Sequence, residues 1–456
     1  MTRLLVVGGG ITGLAAAWEG VRSGAEVLLV EAEPRLGGKL CTERVDGLVI
    51  EHGPDSFGKS QTAVRQLIDE LGLADQVISP KPVAGERSFI RSRGRLRAIP
   101  PGMGMVLPTQ LAPFVSTKIL SPWDKLRAGV DLVLPRRLGA EDTSVGEFLR
   151  ARLGNGIVRK FADPLVGGIY GTSVDDLSLD ALLPSLRTQE QKHRSLLLAS
   201  IHASRASAGA GVPFVSLRGG MGSLADAAAE QLVAAGADVR TGVTVLGLGR
   251  HPLGGRVALS DGSTYRVDAV VLAGGAASSA QLLRPNAPGA AATLAQVRLR
   301  STASVNLAYP ADAFTEQPRF HGWLETQPAP ISGATVSSAK WVGRAPDDVV
   351  LLRASVPDRR AEVFDLPDRA LVGVVDRHLR RVLGIQADPV HQSLTRWATT
   401  MPTYTVGHLD RVAAVQQGLA SQPGWEVAGS ALNGTSVADC IADGRAAATR
   451  ALADVG

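Results

Sequence analysis

Cysteine is nearly absent from this chain. Cys41 and Cys440 are the only two in 456 residues. They form no C-x-x-C pair, so neither a disulfide framework nor a cysteine metal site is supported. Such sparse usage suits a reducing cytoplasm, which is the expected location. Aromatic residues make up only 4%. No run of five or more Lys and Arg interleaves with them, which argues against nucleic acid as a partner. No uninterrupted apolar stretch reaches the ~18 residues of a membrane-crossing helix, so only peripheral membrane contact is left open. The first strand begins directly after Met1-Thr2, leaving no room for a signal peptide. What remains is 45% hydrophobic and 20% charged residues with a net charge of +5. That balance fits a globular enzyme, and the excess charge fits an anionic substrate. A chain of this length exceeds what one core usually supports, so two or more domains are expected.

The opening residues carry the strongest positive pattern. Arg3–Val7 reads as a short apolar strand, Gly8-Gly9-Gly10-Ile11-Thr12-Gly13 follows, and Leu14–Ser23 reads as a helix. Glu26–Val30 is a second strand, closed by Glu31 and Ala32. In that setting a G-x-G-x-x-G run is the dinucleotide fingerprint. Gly8 allows the tight turn, Gly10 brings backbone N–H groups to a pyrophosphate at a helix N-terminus, and Gly13 lets helix and strand pack closely. Glu31 is placed to accept from a ribose. Beyond it stand Arg35-Leu36-Gly37-Gly38-Lys39 and Glu51-His52-Gly53-Pro54-Asp55-Ser56-Phe57. NAD domains rarely carry such a Gly-Gly pair. It resembles FAD oxidases related to the monoamine oxidases, in which the pair and its Arg bring backbone against the diphosphate and ribityl chain. FAD is therefore the expected cofactor.

Further along, Gln61–Leu71 has helical period, and Ser88–Ile90 with Arg95–Ile99 reads as a hairpin turning at Ser92-Arg93-Gly94. Pro100–Pro108 breaks regular structure. From Leu111 to about Ser207 the pattern is mostly helical, for example over Pro122–Leu134, Ser144–Leu153 and Ile157–Val166. A small-residue stretch lies at Ser204–Gly211. Strand–helix–strand order then returns through Phe214–Leu217, Ser223–Ala235 and Asp238–Arg240. Val243–Leu248, Arg256–Ser260, Tyr265–Val267 and Ala269–Leu272 read as strands, the last leading into a cofactor-side loop at Ala273-Gly274-Gly275. Strand candidates recur between 297 and 356, and Arg369–Leu383 is helical. Trp425–Gly429, then Ser430–Thr435, then a helix from Val437 forms a last strand–loop–helix unit, with Ser436 and Asp439 as its capping pattern.

Several blocks widen the resemblance. They are Glu51–Phe57, Pro108–Thr117, Gly167-Gly168-Ile169-Tyr170-Gly171 with Ser178-Leu179, Thr188–Leu196, Arg396-Trp397, Met401–His408 and Asp439-Cys440-Ile441. In this order they resemble the FAD-dependent porphyrinogen oxidases, most nearly the soluble bacterial coproporphyrinogen III oxidase branch. The resemblance implies an α/β fold with a Rossmann-like FAD domain of the monoamine-oxidase type, a sheet-based substrate domain and a mostly helical insertion. The implied FAD domain is discontinuous, over residues 1–85, 208–285 and 395–456; 86–110 with 286–394 would form the substrate domain and 111–207 the helical one. The implied reaction removes six electrons from a tetrapyrrole in three rounds, with O2 leaving as hydrogen peroxide. A ferrochelatase is an implied transient partner. Protoporphyrinogen IX is the alternative substrate, having the same reacting carbons and fewer propionates. An amine oxidase or desaturase on the same scaffold is more remote.

No catalytic side chain is required, because the flavin carries the chemistry. Besides the residues above, Val243, Trp397, Gly429, Val437 and Ala438 are expected at the cofactor, where the helix from Val437 would direct its positive end toward the flavin. Propionates call for basic residues. The candidates are Lys59, Arg91, Lys118, Lys192, His193, Arg194 and Arg396, with Ile169 and Tyr170 packing on the macrocycle. His52 is read as structural, with proton carriage as the alternative.

Overall fold

In a computed structural model of the chain, residues 1–83, 87–104, 106–206, 214–251, 254–326 and 328–455 are described. β1 (Arg3–Val7), α1 (Ile11–Arg22) and β2 (Glu26–Val30) form the expected opening unit. The helix starts at Ile11 rather than Leu14, because Gly10 serves as an extended N-cap at φ −68°, ψ 176°. Hairpins β3 (Thr42–Val45) with β4 (Leu48–Glu51) and β5 (Ser88–Ser92) with β6 (Arg95–Ala98) follow. The second turns through Arg93 and Gly94, both at positive φ (53° and 75°), a turn whose twist matches that of its strands.

Between 111 and 206 the chain is helical and includes α2 (Val145–Leu153). Ser144 caps α2 by accepting from the Glu147 amide at 3.0 Å. Val158–Gly167 is wound as a π-helix with Pro164 inside it, wider than the helix read at Ile157–Val166; Pro164 lacks an N–H and its ring crowds the preceding turn. The stretch read at Ser204–Gly211 lies mostly outside the described residues. Next come α3 (Gly222–Ala234), β7 (Asp238–Arg240), β8 (Ala269–Leu272), β9 (Arg298–Pro310), β10 (Gly322–Glu325), β11 (Gly333–Val336) and β12 (Val349–Pro357). The chain closes with α4 (Asp368–Leu383), β13 (His391–Thr403), α5 (His408–Leu419), β14 (Trp425–Val427) and α6 (Val437–Ala453).

Two sheets organise the molecule. One has five parallel strands in the order β7-β2-β1-β8-β14. Leu4 and Val6 pack on α1, α3 and α6 on one face, while Leu5, Leu28 and Val270 pack on the other against a layer that includes α5. Coverage on both faces explains why these strands read as continuous apolar runs. The other sheet has seven strands, β13-β9-β12-β11-β10-β5-β6, antiparallel except where β10 meets β5. Its register sets Ala303, Val305, Leu307, Leu352, Ala354 and Val356 on one face, packed on Leu371, Val375 and Leu379 of α4. Burying each such branched side chain contributes roughly 1.5–3 kcal/mol. The opposite face carries Thr302, Ser304, Asn306, Arg353, Ser355, Thr335, Gly333, Gly322 and Ser88.

The helix Pro288–Leu294 joins the layer over the parallel sheet, and β13 carries the seven-stranded sheet on to Thr403. Among the described residues, no helix is long and apolar enough to cross a membrane, and no cluster of His, Cys, Asp or Glu could hold a metal.

Candidate active site

The fingerprint glycines are fixed by contacts no other residue could make. Gly8 has φ +107°, and a Cβ there would stand 2.8 Å from the Gly274 amide. A Cβ on Gly13 would stand 1.8 Å from the Gly8 carbonyl oxygen, so α1 lies directly on the β1 turn. The Gly9 N–H donates to Glu31 Oε2 at 2.5 Å. Gly10 differs from these: nothing lies within 4 Å of where its Cβ would point. It opens on the cavity at the N-terminus of α1, where unpaired N–H groups and the helix dipole favour an anion. Gly37 closes the cradle by donating to the Gly9 carbonyl at 2.8 Å. Arg35 braces that loop, donating to the carbonyls of Leu36 (3.0 Å) and Gly38 (2.5 Å). An open Gly10 between tightly filled Gly8 and Gly13, at a helix N-terminus and beside Glu31, fits a dinucleotide diphosphate.

A second helix end reaches the same cavity. Ser436 and Asp439 form a complete capping box on α6, and Val437 lines the cavity with Thr435 and Cys440. The loop before α6 is held by Tyr404, whose hydroxyl donates to the Ser430 carbonyl and accepts from the Gly434 N–H, both at 2.7 Å. Burial pushes the Tyr404 pKa well above its ordinary value. His408 stacks on that ring at 3.8 Å and meets the Leu432 carbonyl at 2.8 Å. The Met401–His408 block thus positions the α6 end.

The cavity, of about 1080 Å³, runs unbroken from Gly8 to the polar face of the seven-stranded sheet. Thr302, Ser304, Ser355, Thr335, Gly333 and Gly322 form its floor. Four cations stand on its walls: Lys39, Arg87, Lys340 and Arg353. Lys39 Nζ donates to the Thr400 carbonyl at 2.8 Å and has no ion-pair partner among the described residues; burial lowers its pKa. Asp55 lies behind the wall. Its carboxylate accepts from Lys340 Nζ at 2.9 Å and Trp341 Nε1 at 3.2 Å. Burial alone would raise its pKa, but Lys340 and Arg353 override that and hold it well below the carboxylate range. A bulge in β13 between its pairings with Thr302 and Arg300, with Thr399 at φ 48°, turns residues 399–402 into the cavity.

Of the residues expected at a cofactor, Gly8, Gly10, Ile11, Thr12, Glu31, Gly37, Gly38, Lys39, Gly53, Pro54, Trp397 and Val437 line this cavity, and Ile169 lines it beside Leu165. Gly9, Gly13, Arg35, Asp55 and Gly429 brace its walls from behind. Val243 donates its N–H to the Glu31 carbonyl. Ser56 donates to Asp55 at 2.9 Å. Ala32 is exposed and Ala438 is buried in the α6 core. The basic candidates fare differently. Arg91 and Arg396 sit one residue out of phase, on the apolar side of the sheet. Arg91 faces Glu325 at 3.5 Å, and Arg396 donates to the carbonyls of Phe364 and Leu366. Their neighbours in phase, such as Trp397 and Ser88, face the cavity. Lys59, Lys118, Lys192 and His193 are exposed outside it. Arg194 donates to the Val133 and Leu134 carbonyls. The Thr188–Leu196 block instead locks the helical region: fully buried Arg152 bonds Asp131 at 2.7 Å and the Arg194 carbonyl at 2.5 Å, while Glu190 accepts from the Arg137 and Leu138 amides. Tyr170 is outside the cavity lining and packs against the core of the helical region. Arg87, Lys340 and Arg353 line the cavity but lie outside the set expected from the sequence. Strict alternation over Leu352–Val356 signals the Arg353 face, but nothing local marks Lys340.

A dinucleotide cradle opening into one deep substrate cavity defines a flavin-dependent oxidoreductase. The profile of the flavin-containing amine oxidoreductases matches residues 11–452, and the chain belongs to that family. It is 51% identical to the coproporphyrinogen III oxidase of Propionibacterium freudenreichii subsp. freudenreichii, over 97% of this chain and 89% of that one. It is 33% identical to the coproporphyrinogen III oxidase of Bacillus subtilis (strain 168), over 98% and 97%. A crystal structure of a candidate protoporphyrinogen oxidase from Exiguobacterium sp. 255-15, at 32% identity, superposes with a TM-score of 0.86 over 98% of both chains. The cofactor is therefore a flavin.

Proposed function

We propose that this chain is an FAD-dependent oxidase that converts coproporphyrinogen III to coproporphyrin III in haem biosynthesis, with O2 as electron acceptor. The single observation that carries this reading is the continuous cavity, with an anion-accepting glycine cradle at one end and a floor of small hydroxyl and glycine positions under cationic walls at the other. Gly10, Gly37 and Gly38 would meet the FAD diphosphate, Glu31 a ribose, and the N-terminus of α6 the flavin ring. When bound there, the flavin accepts a hydride equivalent from the substrate and passes the electrons to O2, giving H2O2.

The protein's own task is to bind and orient. The floor of Ser304, Ser355, Gly322 and Gly333 leaves depth for a broad macrocycle. Arg87, Lys340 and Arg353 offer charge-assisted bonds to carboxylates, which favours the more carboxylated porphyrinogen. Asp55 keeps Lys340 aimed. The same reading puts the protein in the cytoplasm, with its product passing to a ferrochelatase.

The test is purified, FAD-loaded protein in air, given coproporphyrinogen III and protoporphyrinogen IX side by side, with porphyrin fluorescence and peroxide followed together. Faster coproporphyrin formation with matching peroxide is expected. A tenfold preference for protoporphyrinogen IX would move the assignment to that substrate.

A further inference from the structure

His52 is buried, with only 8% of its side chain exposed. Both its ring nitrogens are engaged. Nδ1 meets Thr395 Oγ1 at 2.8 Å, and Nε2 meets Glu43 Oε2 at 2.9 Å. The ring's place is fixed through the backbone: the His52 N–H donates to the Cys41 carbonyl at 2.9 Å, and the His52 carbonyl accepts from Trp397 Nε1 at 2.8 Å. The outer end of this row is wet, since the Glu43 side chain is 40% exposed. The inner end approaches the cavity. His52 is part of the cavity wall, and Thr395 stands directly across from Ser304 in the β13–β9 register. Facing side chains in such a pair have Cβ atoms about 4.5–5.5 Å apart. Ser304 lines the cavity, is 8% exposed, and its Oγ has no partner among the described residues. A buried hydroxyl without a partner costs free energy unless something fills its place.

We propose that Ser304, Thr395, His52 and Glu43 form a proton path between the cavity and solvent. This rests on the oxidase reading above. In each two-electron round the substrate loses a hydride equivalent from a meso carbon and a proton; over the three rounds two of the protons leave pyrrole N–H groups and one leaves the fourth meso carbon. The hydroxyl of Ser304 takes that proton, turns about χ1 to bring Thr395 Oγ1 into hydrogen-bond reach, and gives its own proton to it. Thr395 passes its proton to His52 Nδ1, His52 passes the Nε2 proton to Glu43, and Glu43 gives it to water. Conversion of O2 to H2O2 takes two electrons and two protons. One proton accompanies the hydride equivalent and the other returns from solvent along the same row. His52 and Glu43 act here as relay residues that do not touch the substrate. The charged groups around the ring are few: Glu43 faces it from β3, and Arg353 of β12 donates to the neighbouring Gly53 carbonyl.

The test is a single anaerobic turnover of FAD-loaded protein with coproporphyrinogen III, watched by flavin absorbance and by a pH-indicator dye. Wild-type protein is expected to release one proton to the dye in step with each two-electron oxidation. His52→Gln can keep hydrogen bonds but cannot carry a proton; proton release should slow about tenfold or more, with a larger solvent isotope effect. The flavin spectrum should not change. Glu43→Gln, at the exposed end, carries the test where His52→Gln folds poorly, and should slow release about threefold. Added imidazole should restore release in His52→Ala. Proton release at the wild-type rate in His52→Gln and Glu43→Gln, with the wild type active, would overturn the path and leave the proposed function standing. A wild-type protein that oxidises no porphyrinogen would overturn both.

Discussion

The two sheets bury their faces in different ways. In the five-stranded parallel sheet both faces are apolar and both are covered, by α1, α3 and α6 on one side and by the α5 layer on the other. The seven-stranded sheet is split. One face is packed against α4, and the other presents hydroxyls, glycines and Arg353 to the cavity. Hydrophobic burial fixes the position of each sheet, but only the second sheet holds a polar surface inside the molecule. The desolvated Ser304 Oγ and Asn306 amide nitrogen are left there without partners among the described residues. They mark a surface shaped for something to be bound rather than for stability.

The contrast can be broken most severely at the parallel sheet. Gly13→Val would drive a side chain into the Gly8 carbonyl, where even a Cβ stands 1.8 Å away. A loss of several kcal/mol is expected, on the order of 3 or more. It should be read as a lower Tm together with protein that purifies without its flavin absorbance. The two faces of the seven-stranded sheet are separated by a matched pair. Leu352→Ala, on the α4 face, should cost about 2–5 kcal/mol in denaturant unfolding. Ser355→Ala, on the cavity face, should change stability by less than about 0.5 kcal/mol while raising KM for the porphyrinogen. Equal stability costs for the pair would remove the distinction between the faces.

The smallest effect is a pH slope. Burial lowers the His408 pKa below its ordinary 6.5. The unfolded chain then binds the proton more readily than the folded one. His408 therefore contributes stability that is complete above about pH 6.5 and declines as the pH falls below it. Tm measured from pH 7.5 down to 5.5 should fall, and His408→Gln should flatten that fall slightly.

What could be read from the sequence followed the same division. β1, α1 and β2 were legible because Gly9 and Gly13 act on neighbours close in the chain, and Ser436 with Asp439 announced α6 for the same reason. The cationic wall was not. Arg91 and Arg396 are strand residues whose side is set by the register of strands far apart in sequence, and a shift of one residue would have put them in the cavity. The Thr188–Leu196 block was legible as special but not as to purpose. Its Glu190 and Ser195 serve a buried Arg152–Asp131 pair that becomes visible only once the helices are packed.

The crossing of α1 and α6, where a Cβ on Gly444 would stand 2.2 Å from the Thr12 carbonyl oxygen, has a consequence in time. Gly10 and Val437 wall the same cavity, yet more than four hundred residues of synthesis separate them. At roughly 5–20 residues per second, the early half of the cradle waits on the order of a minute for its counterpart. Cofactor capture therefore cannot be completed until α6 has been synthesised. Free flavin cofactor in the cell then becomes a determinant of how much newly made chain matures.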